Sequence, residues 1–221
     1  MTPAMQIALT ATPLAVYFYV VGILHGGRRP RMVAGPVDVG LLAFGLGGLV
    51  AFGPFGRAVL GRVVGEPASG LAWSIWVALV ALWALVIAGS ATLRVTVYHI
   101  SPEQLDLAVR DALGGLEGRF FSTLKGFENP KRQSGVTVKP LRLLRSGSVE
   151  AYGDHPDALI RELKPRLREA LAHYPQRASA VSNVLFGLAG LTMVLPVSSF
   201  FLANPKAKEA LRTLMHSLRW W

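Results

Sequence analysis

The chain contains no cysteine. That absence excludes disulfides, thiolate metal sites, cysteine-ligated iron–sulfur clusters and cysteine nucleophiles together. Charge is also scarce: 16% of the 221 residues are charged and 52% are hydrophobic, with a mean hydropathy of +0.41. A soluble domain carries about 25% charged residues, so this composition belongs to a membrane protein rather than to a disordered or fibrous chain. Catalytic signatures are missing too. There is no Gly-x-Ser-x-Gly, no phosphate-cradling P-loop and no dinucleotide glycine fingerprint. The five histidines (25, 99, 155, 173 and 216) stand apart from one another and from carboxylates at ligand spacing, so no metal site is expected. No catalytic residue and no cofactor is assigned.

What the chain does have is apolar runs. Residues 4–25, 37–56, 70–93 and 178–203 each approach the twenty or so residues needed to cross a hydrocarbon core. The first run is preceded by no Lys or Arg and followed by Arg28, Arg29 and Arg31, the reverse of a cleaved signal peptide. The second holds Gly40, Gly45, Gly47, Gly48, Gly53 and Gly56. In lipid such a segment stays helical, and its missing side chains let a neighbouring helix approach, with Gly45 and Gly48 the expected packing positions. The alternative is a broken or re-entrant segment lining a path. Trp73 and Trp76 anchor the start of the third run at headgroup level. A connection over residues 57–69 separates the second and third runs.

Between spans 3 and 4, residues 94–177 carry 24 of the 36 Asp, Glu, Lys and Arg side chains. Residues 93–99 alternate at period two and read as a strand, and Ser101-Pro102-Glu103-Gln104 has capping-box spacing. Leu105, Ala108, Val109, Ala112, Leu113 and Leu116 then share one helix face. Residues 119–127, 136–144 and 149–152 are strand candidates, with a hairpin turn expected at Ser146-Gly147-Ser148. A second helix opens at Asp154-His155-Pro156-Asp157, buries Leu159, Leu163, Leu167, Ala170 and Leu171, and is expected to kink or divide at Pro165. The fold class is therefore an α+β membrane protein. A four-span helical bundle carries a small β-α-β-β-β-α domain of ferredoxin-like layout inserted between spans 3 and 4. Residues 204–221 read as an amphipathic interfacial tail helix.

Of the 23 Lys and Arg residues, placing the first loop and the domain on one side puts seventeen there and six opposite. The positive-inside rule then sets the domain in the cytosol and both termini outside, in a multi-pass inner-membrane protein. Asp38, the one acidic residue attached to an apolar run, is expected to pair with Arg28, Arg29 or Arg31 in the headgroup region. Lys131, Arg132, Lys139, Arg142 and Arg145 gather within fifteen residues. Together with Arg28, Arg29 and Arg31 they are the candidate residues for binding anionic lipid or a protein partner. Nucleic acid is not expected, because no RNP-like aromatic signature accompanies the strands. The reading that follows is an accessory, scaffold or regulatory membrane protein, with a protein partner or homo-oligomer as further possibilities. A transporter or channel subunit is the alternative, and an enzyme on a membrane-associated substrate comes after it.

Overall fold

The computed structural model describes residues 3–64, 70–116, 118–131, 133–176 and 179–203, with Glu209 and Thr213. The described helices and strands run α1 (Pro3–His25), β1 (Arg31–Ala34), α2 (Gly35–Phe52), α3 (Pro54–Val64), α4 (Gly70–Ser90), β2 (Arg94–Tyr98), α5 (Pro102–Gly114), β3 (Phe121–Thr123), β4 (Gly126–Asn129), β5 (Ser134–Leu141), β6 (Ser146–Gly153), α6 (Pro156–Ala172) and α7 (Ala180–Ala203). Four of these, α1, α2, α4 and α7, are long and apolar enough to cross a membrane. The chain is a multi-pass membrane protein. The tail helix expected over residues 204–221 falls, apart from Glu209 and Thr213, outside the described residues.

The chain forms two compact units, one built from the segment up to Tyr19, Ala43–Ala84 and the segment from Phe186, the other from Val20–Leu42 and Leu85–Leu185. Within the first, α2 turns Gly48 toward α1, where an added Cβ would stand 2.6 Å from the Leu9 carbonyl oxygen and 2.9 Å from Pro13. Gly45 faces the Tyr17 side chain at 2.6 Å in the same way. The second span ends at Phe52, four residues short of expectation, because Gly53-Pro54 interrupts it: Pro54 has no N–H to extend the ladder and instead starts α3. Residues 57–64 of the expected connection are therefore helical, burying Leu60 and exposing Arg57 and Arg62, while residues 65–69 lie outside the described residues. Trp73 stacks on Phe52 with centroids 5.9 Å apart, and Trp76 Nε1 donates to the Ala51 carbonyl at 3.2 Å.

The second unit holds one antiparallel six-stranded sheet in the order β1-β2-β6-β5-β4-β3. The α5 crossover carries the chain from β2 to the far edge, and a four-strand meander brings it back to pair with β2. That is one crossover and a meander, not the two interleaved crossovers of a ferredoxin-like layout. Two strands exceed the expected count. Residues 119–127 do not form one strand but contribute to a tight β3–β4 hairpin that pairs Thr123 with Gly126. β1 comes from the loop between spans 1 and 2 and pairs Arg31 with Tyr98.

Alternation sets the two faces. Val95, Val97, Phe127, Val136, Val149 and Ala151 point to α5 and α6, whose buried faces include Leu105, Val109, Leu163 and Leu167. Each fully buried leucine there contributes about 1.5–3 kcal/mol. The capping box at Ser101 forms as its spacing requires. The expected turn at Ser146-Gly147-Ser148 lies inside β6 instead. Reversal occurs through a 3-10 turn at Arg142–Leu144, closed by Arg145 at φ 45°. Gly147 is needed for packing, since an added Cβ would collide with the Leu105 side chain. α6 runs through Pro165 as one helix.

Candidate functional site

The sheet face opposite the α5–α6 core carries Thr96 and Tyr98, and on it the last turn of α1 and the first turn of α2 abut. Asp38, in the first turn of α2, favours a helix N-terminus electrostatically. Its Oδ2 accepts from Thr96 Oγ1 at 2.7 Å, and its Oδ1 accepts from the Tyr98 hydroxyl. Arg94 Nη2 lies 3.7 Å from the same carboxylate. The expected pairing of Asp38 with the first-loop arginines is thus replaced by a β2 set. Strand pairing places β2 beside the start of α2, whereas Arg28 and Arg29 follow the end of α1.

His25 closes α1 and is fully buried. Its Nδ1 lies 2.9 Å from the Val21 carbonyl oxygen and its Nε2 2.6 Å from that of Leu144. The ring stands edge-on to Tyr98 at 5.2 Å. Two more polar links complete this junction. The Gln176 backbone N–H donates to the Arg28 carbonyl at 2.9 Å, and Ser182 Oγ donates to the Gly22 carbonyl at 2.9 Å. The side chain of Gln176 accepts from Arg145 Nη2 at 2.9 Å and approaches Gln104 Oε1 at 2.8 Å.

The basic residues singled out in the sequence do not form one patch. β5 separates Lys131, exposed at the β4–β5 turn, from Arg142 and Arg145 at its other end by about 24 Å of strand. Lys139, midway, is bound to Glu150 at 2.7 Å in an exposed pair worth little to stability. Arg132 lies outside the described residues. Arg28 and Arg29 are exposed between α1 and β1, and Arg31 is exposed as the first residue of β1. Arg29 and Arg31 share a cavity with Arg168 of α6, a residue the sequence gives no local reason to single out. Around the β5–β6 turn the exposed residues are unexpectedly apolar: Leu143 is 89% exposed and Leu141 50%.

The shifted titrations lie elsewhere. Burial, then the hydrogen bond and charge of Glu128, push the Tyr152 phenol up to about 12. The Glu103 carboxyl is held low by a backbone hydrogen bond and by Ser101 at the start of α5, a capping arrangement. Tyr174 is raised by burial and by its hydrogen bond to Asp111. Asp111, the partner of Tyr174, lines an open cavity with Glu169 and His173, and among the described residues no group of three or more His, Asp or Glu side chains could hold a metal ion. What the arrangement can do chemically is hold: it fastens a sheet to span ends and presents arginines and leucines beside them. No protein-family model matches the chain, and no characterised protein or solved structure matches it.

Proposed function

We propose that this is a non-catalytic accessory or scaffold protein of the inner membrane. Its α+β domain rests on the cytosolic leaflet, engages anionic lipid there, and offers its remaining surface to a partner. The β5–β6 turn carries this reading. Leu144 is bonded through its carbonyl to His25, the last residue of a span, so the turn lies at the level where the hydrocarbon ends. Leu141 and Leu143, exposed at that level beside Arg142, have the composition of an interfacial anchor: apolar side chains for the acyl boundary and a cation for the phosphates. The packing of Gly45 and Gly48 against α1 supports a solid span in preference to a path-lining one.

Because the chain lacks cysteine, single cysteines test this directly. With an environment-sensitive fluorophore in lipid nanodiscs, Leu143→Cys should report an apolar setting and Lys131→Cys an aqueous one. Equal, water-like emission from both would defeat the anchoring proposal. In intact cells an impermeant maleimide should label Arg62→Cys, on the exposed side of α3, and spare Lys131→Cys; the reverse pattern would put the domain outside.

A further inference from the structure

Where α1 ends, β1 and the C-terminal half of α6 enclose a cavity of about 390 Å³. Arg29, Arg31 and Arg168 line it, over a floor that includes Leu24, Met32 and Leu171. Among the described residues no carboxylate lines it. The nearest acidic neighbour in sequence, Glu169, lines a different cavity with Asp111 and His173. Four other basic side chains of this unit are engaged, Arg94 by Asp38, Arg110 by Asp106, Lys139 by Glu150 and Arg145 by Gln176, while others such as Arg161 and Lys164 are, like the cavity arginines, in no ion pair among the described residues. Among the described residues no ion pair engages Arg29, Arg31 or Arg168. Three arginines lining one cavity, with no counter-charge among the described residues, make it attractive to an anion.

The position of the cavity says which anion. Leu24 is the penultimate residue of a span, so the cavity opens in the stratum that lipid phosphates occupy. We propose that it binds the phosphodiester headgroup of an anionic phospholipid, an inference that rests on the reading of an anionic-leaflet protein and sharpens it to one site. Arginine presents paired N–H donors that match two phosphate oxygens, and three of them surround a headgroup better than point charges would. Leu24, Met32 and Leu171 cover the glycerol and the first acyl methylenes, which a free anion lacks. A lipid held here touches a span, an edge strand and α6 at once, joining the domain to its membrane through the bilayer's own material.

The test uses the full-length protein in mild detergent, with phosphatidylglycerol or phosphatidylcholine added and bound lipid counted by native mass spectrometry. The parent should retain phosphatidylglycerol preferentially. Arg29→Gln, Arg31→Gln and Arg168→Gln, all at exposed positions, should each weaken it roughly fivefold, while Arg161→Gln, exposed on the first half of α6 and outside the cavity lining, leaves the tightest-bound lipid in place. The single variant Arg168→Glu, on α6, should abolish the preference by itself. If the arginine variants keep the parent's preference, this site is wrong although anionic lipid still binds. If the parent does not discriminate between the two lipids, both the site and the broader reading fall. Displacement of phosphatidylglycerol by inorganic phosphate at equal concentration would overturn the lipid assignment in favour of a free anion.

Discussion

His25, the last residue of α1, and Leu144, in the turn after β5, meet through a 2.6 Å approach of the ring Nε2 to the backbone carbonyl oxygen, across 119 positions of sequence. The same ring has the Val21 carbonyl at 2.9 Å from Nδ1. Replacing His25 by Phe keeps an aromatic ring beside Tyr98, at some cost in added bulk, but leaves a buried junction without its donor. The expected loss is about 1–3 kcal/mol, read as a lower Tm in detergent, whereas His173→Phe at the exposed end of α6 should change Tm little.

Asp38 gathers two hydroxyl donors and a guanidinium from one strand, so the three should be energetically coupled. Asp38→Ala should cost about 1–3 kcal/mol, because Thr96, Tyr98 and Arg94 all lose their acceptor. In the Asp38→Ala background, Tyr98→Phe should cost much less than it does in the parent. Additive losses across that double-mutant cycle, measured by thermal unfolding, would show that the short hydroxyl–carboxylate contact contributes nothing of its own.

On α2, neighbouring glycines should behave differently. Gly48 faces the Leu9 carbonyl and Pro13, while Gly47 has nothing within 4 Å of where a Cβ would stand. Gly48→Leu should therefore destabilise by about 1–3 kcal/mol and Gly47→Leu should not, measured side by side in the same detergent. Equal melting points for the two variants would contradict the close approach of α1 and α2 at this turn.

Tyr152 gives a pH signature. Its phenol is pushed up to about 12, above the ordinary value near 10, by burial first and by Glu128 second. The group thus adds stability in full below pH 10, and that contribution disappears as pH rises through about 12. Ultraviolet titration of the parent minus Tyr152→Phe should show a midpoint near 12. Glu128→Gln should bring it only part of the way back toward 10, since burial remains.

Local signals were legible in the sequence, and what depends on distant pairing was not. Ser101, Pro102 and Gln104 announce α5 because a capping box is complete within four residues, and the apolar face from Leu105 to Leu116 repeats at helical period. β1 carries no such mark: four residues after a proline show no usable alternation, and their strand geometry comes from the edge that β2 offers. Gly147 looks like turn chemistry until Leu105 is placed against it. The site divides in the same way. Asp38 stands out as an acid on an apolar run, yet its partners lie 56 to 60 positions away. Arg168 looks like one more charge on a solvated helix until β1 is laid beside it.

β1 also imposes an order of synthesis. Arg31 and its partner Tyr98 are separated by two membrane spans, so the edge strand leaves the ribosome before the sheet it will join exists. At about 5–20 residues per second the delay is roughly 3–13 s, during which Arg31–Ala34 waits at the membrane surface while α2 and α4 are inserted. Membrane insertion thereby becomes a step in folding the domain, since β2 can pair on both of its edges only after the spans on either side of the gap are seated. A fragment cut at Arg94 would keep the helices and the meander but leave β2 bare along one edge, a ready template for pairing with another copy.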